Sequence, residues 1–238
     1  MSDFDVKLAA TQATLARIAR DYSPAVFASS LAAEDMMLTD LILRAKLPIA
    51  IFTLETGRLH AETLGMIARI KETYGVDIGV FRPDASEVAS YVAQNGLNGF
   101  YDSVENRKEC CRIRKVEPLK RALQGNKAWI TGQRREQAAT RSDLDVQEHD
   151  AAHGMEKFNP LVDWTEEDVW HYIRENQVPY NPLHDKGYPS IGCEPCTRAI
   201  QPGEDVRAGR WWWEQSETKE CGLNIVDGKL TRIKLETA

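Results

Sequence analysis

The stretch Ala25-Val26-Phe27-Ala28-Ser29-Ser30-Leu31-Ala32-Ala33-Glu34-Asp35 decides the fold. Four apolar residues suit a short buried strand, two hydroxylated residues turn the chain, and a helical pattern follows from Met36 to Ala45. A strand that runs through such a turn into a helix N-terminus gathers free backbone N–H groups and the positive end of the helix dipole. Together they make an anion cradle. The same serines also suit plain helix capping.

Working outward, the unit repeats. Pro48 to Leu54 is an apolar strand that ends at Glu55-Thr56-Gly57-Arg58, with a helix from His60 to Tyr74. Val76 to Phe81 is a third strand, closed by Arg82-Pro83 and followed by the helical stretch Ser86 to Gln94. Lys127 to Gly132 is a fourth, with Gln133, Arg134 and Arg135 at its end. Strands alternating with helices predict an α/β fold, a mostly parallel sheet with helices on both faces. Ligands in such sheets bind at the carboxyl ends of the strands, which puts one nucleotide within reach of Ser29-Ser30 and Glu55 to Arg58 together. Residues 4–20 read as a packing helix, and Arg141 to His153 as an exposed loop or edge hairpin. Thr165 with Asp168 makes a capping box that starts a further helix. The one seam falls near residue 200, dividing a nucleotide-binding α/β domain, 1–200, from a flexible C-terminal tail, 201–238. In the tail Trp211-Trp212-Trp213 reads as a wedge that seats the chain, because adjacent side chains diverge too far to stack on one base.

The chain has 238 residues, 42% of them hydrophobic, enough for one sizeable core. No apolar run is long enough to span a membrane, and Met1-Ser2-Asp3-Phe4-Asp5 has none of the makeup of a signal peptide, so a cytoplasmic protein is expected. A net charge of -6 argues against a general nucleic-acid binder, which needs a basic surface to neutralise phosphates.

Four of the five cysteines come in pairs: Cys110-Cys111, and Cys193-Glu194-Pro195-Cys196. The Cys-X-X-Cys step is common to zinc sites, iron–sulfur sites and dithiol redox pairs. The adjacent pair favours a 4Fe-4S cluster, because two neighbouring thiolates converge on one zinc only by bending the backbone hard, whereas a cubane offers each its own iron. A vicinal disulfide and buried filler are the alternatives. Cys221, in Lys219-Glu220-Cys221-Gly222-Leu223-Asn224, stands apart and is free to do chemistry. The basic residues cluster near the cysteines, with Arg112, Arg114 and Lys115 after the first pair and Arg207 and Arg210 before Cys221. That pattern suits a small anionic ligand, since guanidinium groups bind phosphate and sulfate oxygens in bidentate fashion.

Taken together, Ser29-Ser30 before a helix, Leu54 to Arg58, Cys110 to Lys115, Thr131 to Arg135, Cys193 to Thr197, Arg207 to Trp213 and Glu220-Cys221-Gly222-Leu223 resemble the thioredoxin-dependent assimilatory adenylyl-sulfate reductases of the PAPS reductase family. The resemblance covers nearly the whole chain. It implies a sheet of the adenine nucleotide alpha hydrolase type and reduction of adenosine 5'-phosphosulfate (APS) to sulfite and AMP, in sulfate assimilation and cysteine biosynthesis. By position it makes Cys221 the nucleophile, carrying an S-sulfocysteine that thioredoxin or a glutaredoxin-like donor then cleaves. Cys110, Cys111, Cys193 and Cys196 become ligands of the 4Fe-4S cluster. Lys115, Arg141, Arg207 and Arg210 match residues around phosphosulfate and cluster, Ser29 and Ser30 the loop that receives the phosphosulfate, and Leu54, Thr56, Gly57 and Gly132 the nucleotide-lining positions. A homo-oligomer is also expected. Two positions depart from the family pattern: Asn224 stands where relatives often have His, and Leu31-Ala32-Ala33 carries no glycine where relatives commonly have one.

Three rival readings fare less well. A tRNA-directed sulfur transferase of the same sheet type needs a glycine-rich pyrophosphate loop and a basic RNA surface. A cluster-free reductase of the 3'-phosphorylated nucleotide PAPS lacks the two cysteine pairs. A zinc-stapled interaction module leaves Cys221 and the strand-end residues without a task.

Overall fold

A computed structural model describes residues 2–138 and 141–214, together with the short strands 225–226 and 229–230. Its main sheet has six strands in the order β3-β2-β1-β4-β6-β5. These are β1 (Ala25–Ala28), β2 (Ile49–Leu54), β3 (Gly79–Phe81), β4 (Ala128–Ile130), β5 (Gln147–Asp150) and β6 (Met155–Phe158). All neighbours are parallel except the β5–β6 edge hairpin, in which Gln147 faces Phe158. β7 (Ile225–Val226) and β8 (Lys229–Leu230) form a separate antiparallel pair. Among the described residues, no helix is long and apolar enough to cross a membrane.

The central strand shows why both faces must be covered. Along β1, Ala25 and Phe27 enter one apolar cluster while Val26 enters another on the opposite face. The first cluster is sealed by α1 (Asp3–Asp21), α2 (Ala33–Arg44), α3 (Ala61–Tyr74) and α7 (Glu166–Glu175), and the second takes Leu119, Ala122 and Leu123 from α6 (Glu117–Leu123). In chain order α4 (Ala85–Asn95) and α5 (Val104–Cys111) come between β3 and α6. Helix α2 is buried nearly all round, and its buried Asp40 accepts hydrogen bonds from Tyr74 Oη at 2.7 Å, Tyr172 Oη at 2.7 Å and Arg44 Nε at 2.7 Å. One carboxylate thereby ties α2 to α3 and α7, and its burial is tolerable because every donor is in place.

Two features position the site. Helix α5 does not run on smoothly: directly after Cys111 the chain widens into a π-helical stretch, Arg112–Val116, before α6 resumes with Pro118 in its first turn. The described part of the expected tail, 201–214, is fastened to the body. Thr197 bridges to Arg210, Trp211 N donates to Cys196 O at 3.1 Å, and buried Arg107 pairs with buried Glu214 at 2.8 Å. Trp211 is buried between the guanidinium groups of Arg107 and Arg210, and Trp213 packs on the ring of Tyr101, so the wedge expected from the sequence does seat this segment.

Candidate active site

Beyond the carboxyl ends of β1, β2 and β4 lies a cavity of about 280 Å³. Ser29 and Ser30 follow β1, Leu54 and Thr56 end β2, and Gly132 follows β4; all five line it, together with Lys115, Arg141, Arg207 and Arg210. Residues far apart in sequence thus meet at the strand ends, as the parallel sheet dictates. Gly57 is the one expected binding residue that is not on the wall. It sits at φ +71° with the Arg114 guanidinium 3.2 Å from where a Cβ would stand, so its role is to let Arg114 pass.

The Ser29-Ser30 loop differs from the open cradle the sequence suggests. Ser29 N donates to Phe52 O, Leu31 N to Ser29 Oγ, and Ala33 N to the half-buried imidazole of His184 at 3.2 Å. Ser30 N donates to Asp35 Oδ2 at 2.6 Å, and the Ser30 hydroxyl points to the same oxygen. The N–H groups are therefore used inside the loop, because Asp35, one turn into α2, folds back over it. Leu31 supplies the left-handed turn, φ +65°, that glycine often supplies elsewhere, and full burial of its side chain offsets the strain.

Asp35 also reaches across to the next strand end. It accepts from Gly132 N, and an added Cβ on Gly132 would stand 2.1 Å from Asp35 Oδ1. Only glycine permits that approach. Burial pushes the Asp35 carboxyl up to about 6, against the three hydrogen bonds that favour its charged form. Neither Asp35 nor His184 stands out in the sequence, where an acid in the first turn of a helix suits the dipole alone. Arg134, by contrast, is bound to Glu34 at 2.9 Å and to Glu136 at 2.8 Å and serves the wall of the cavity.

A second, smaller chamber adjoins the cavity. Cys110, Cys111, Cys193 and Cys196 all line it, with Arg58, Arg107, Arg114, Phe100 and Pro195. Lys115 and Trp211 line both spaces. The π-helical stretch begins at the residue after Cys111 and so re-aims the chain at the point where two consecutive thiols must share one chamber. From the other side, Leu59 bridges to Cys193, Thr56 Oγ1 lies 3.3 Å from Cys193 Sγ, and Arg114 Nη1 donates to Thr56 O at 2.7 Å. Burial pushes the Cys110 thiol up, and burial with the Cys193 charge pushes Cys196 up to about 12. Two buried and two half-buried thiols can become thiolates together only beside compensating positive charge, which Arg114 and Lys115 begin to supply. Among the described residues, no three His, Cys, Asp or Glu side chains converge as a site for a single metal ion. Cys221 and Asn224 lie outside the described residues.

Residues 24–199 match the phosphoadenosine phosphosulfate reductase domain family. The chain belongs to this family. Relatives named adenosine 5'-phosphosulfate reductase include one from Burkholderia cepacia, 62% identical over 219 residues, which are 92% of this chain and 88% of that one. Another, from Allochromatium vinosum, is 60% identical over 88% of this chain and 82% of its own. Among solved structures, a phosphoadenylyl-sulfate reductase from Candida auris, a phosphate complex, superposes with a TM-score of 0.68 at 25% identity, over 84% of this chain and 98% of that one. A Candida glabrata FMN adenylyltransferase superposes with a TM-score of 0.53 at 14% identity, covering 91% of this chain and 75% of that one; the likeness is one of fold alone. The mostly parallel sheet between helices is thus the fold of this family.

Proposed function

We propose that this protein reduces APS to sulfite and AMP in sulfate assimilation and cysteine biosynthesis, with thioredoxin or a glutaredoxin-like protein as electron donor. The observation that carries the reading is the strand-end cavity lined by Lys115, Arg141, Arg207 and Arg210, which shares a wall with the four-cysteine chamber. The relatives over half identical across most of the chain support it, as their names specify APS.

The chemistry follows from the chain's own groups. The nucleotide lies over the carboxyl ends of β1, β2 and β4, with its anionic end toward the four cations. The Cys221 thiolate attacks the sulfate sulfur; a sulfur–sulfur bond forms as the bond from sulfur to the AMP phosphate oxygen breaks, and that oxygen leaves with the electron pair. Arg207 and Arg210 favour both the thiolate and the departing phosphate. A thioredoxin thiolate then attacks Cys221 Sγ, sulfite departs, and the second thioredoxin thiol resolves the mixed disulfide. Cys110, Cys111, Cys193 and Cys196 fit a 4Fe-4S cluster: all four line one chamber, and cations stand around them. When bound, that cluster supplies a crosslink between α5 and the 193–196 turn and a fixed charge beside Lys115. A cytoplasmic homo-oligomer completes the reading.

The test is anaerobic purification with iron, sulfide and zinc analysis, then stoichiometric sulfur-labelled APS without reductant. About four irons per chain, with label retained by wild type and lost in Cys221→Ser, is the expected result. Zinc in place of iron together with no retained label overturns the reading.

A further inference from the structure

Lys157 is a lysine in the wrong place for a surface residue. It lies on β6 beside Trp129 of β4, is 8% exposed, and holds its ammonium 5.6 Å from the Trp129 ring centre. Its Nζ is 3.4 Å from Glu148 Oε2 of β5 and donates to Gln133 Oε1 at 3.1 Å. Glu148 is itself fixed by Asn159 Nδ2 at 3.0 Å, and Asn159 Oδ1 accepts from Thr131 Oγ1 at 2.6 Å. This network under the edge of the sheet reaches the cavity wall at Thr131 and at Gln133, and Gln133 is the wall residue that accepts from Lys157.

An ammonium has donors and no acceptor, so the amide oxygen of Gln133 must be the atom that faces Lys157. The amide NH2 is then turned the other way, and among the described residues it makes no hydrogen bond. Gln133 is only partly buried and borders the cavity, so those two N–H donors are open to whatever occupies it. Arg141 lines the same wall, close enough for its charge to bear on Lys157. Donors set beside a cation mark the place for an anionic oxygen.

We infer that Gln133 donates a hydrogen bond to an anionic oxygen of the bound nucleotide, and that Lys157 is a positioning residue that fixes the polarity of its amide. The inference rests on the reading of the cavity as an adenine-nucleotide site. Its test is binding of AMP and of adenosine to the anaerobically purified full chain by calorimetry, with thermal melting as the fold control. Gln133→Leu weakens AMP about tenfold, the scale of one hydrogen bond to a charged group, and leaves adenosine within about twofold. Lys157→Met weakens AMP by a comparable factor, Lys157→Arg restores most of it, and the double variant is no weaker than Gln133→Leu alone. A purely structural role for Lys157 instead multiplies the two losses. The inference is overturned by wild-type AMP affinity in Gln133→Leu, by multiplicative losses, or by an equal loss for adenosine. Wild-type protein that binds no AMP overturns the nucleotide reading with it.

Discussion

Gly132→Ala is the smallest change that tests how the cavity is built. The added methyl would stand 2.1 Å from Asp35 Oδ1, 3.2 Å from Asp35 Cγ and 3.2 Å from Glu34 Cβ, far inside contact distance. The carboxylate cannot swing aside at little cost, because Ser30 N, the Ser30 hydroxyl and Gly132 N all depend on it. If Asp35 moves, a buried carboxylate and at least one buried N–H lose partners, which costs about 1–3 kcal/mol; if β4 moves instead, overpacking strain costs about 1–3 kcal/mol. A net destabilisation of about 3 kcal/mol lowers the melting temperature by about 6–12 °C in a chain of this size. Circular-dichroism melting reads that shift, and AMP affinity should fall with it, since the Ser30 and Gly132 loops both line the cavity. A variant that melts within about 1 °C of wild type and binds AMP normally would refute the role given to the Asp35 strut.

Other perturbations probe separate parts. Asp35, raised from 3.8 to about 6, gives wild type a stability that is fully present below pH 3.8 and lost as pH rises through about 6. Chemical denaturation at pH 7 and pH 4 should therefore move the stability difference between wild type and Asp35→Asn by about 2 kcal/mol in favour of wild type at the lower pH; no movement refutes the raised carboxyl. Breaking the buried Arg107–Glu214 pair with Glu214→Ala should cost about 3–5 kcal/mol, since it strands a buried guanidinium. The double change Arg107→Leu with Glu214→Leu should recover most of that in urea unfolding, unless the packing of Trp211 on Arg107 dominates. Lys115→Met should weaken AMP binding about tenfold or more while melting near wild type, as expected of a cation that serves ligand charge in both spaces.

The parts of the fold legible in the sequence were those in which each residue's local preference agrees with its place. β1, β2 and α3 run through apolar stretches that end at turn residues, and their observed limits fall within a residue or two of the pattern. β6 was not legible, because Met155-Glu156-Lys157-Phe158 reads as polar while the strand is paired on both sides in the sheet. The burial of Lys157 depends on Glu148 and Gln133, partners no local window contains. The site divides the same way. Cysteine spacing and strand-end serines are local signals, and the structure brings those residues together. Asp35 and His184 work through contacts to Gly132 and Ala33 that only the fold creates. Leu31 in a left-handed turn has no signal in its own residue type, which argues against the conformation; only the glycine that relatives commonly carry in this loop marks the place.

The shared wall also constrains how the two spaces can act. Lys115 follows the cysteine pair on the π-helical stretch, so it is held by the same backbone that aims Cys110 and Cys111. Trp211 is gripped by Arg107 and Arg210, one guanidinium from the chamber wall and one from the cavity wall. Arg210 in turn is fitted over Gly192, where a Cβ would stand 2.6 Å from its guanidinium, next in sequence to Cys193. Lys115 thus stands four residues after Cys111 on one helical stretch, and Arg210 packs over the neighbour of Cys193, so both cations on this side of the cavity are tied to cysteines of the chamber. A change in the chamber must displace Lys115 or Arg210, and with them the charge seen at the anionic end of the ligand. Loss of the proposed cluster should accordingly weaken AMP, which carries that charge, far more than adenosine, which does not. Equal losses for the two would mean that the cysteines hold the fold and leave the cations where they are.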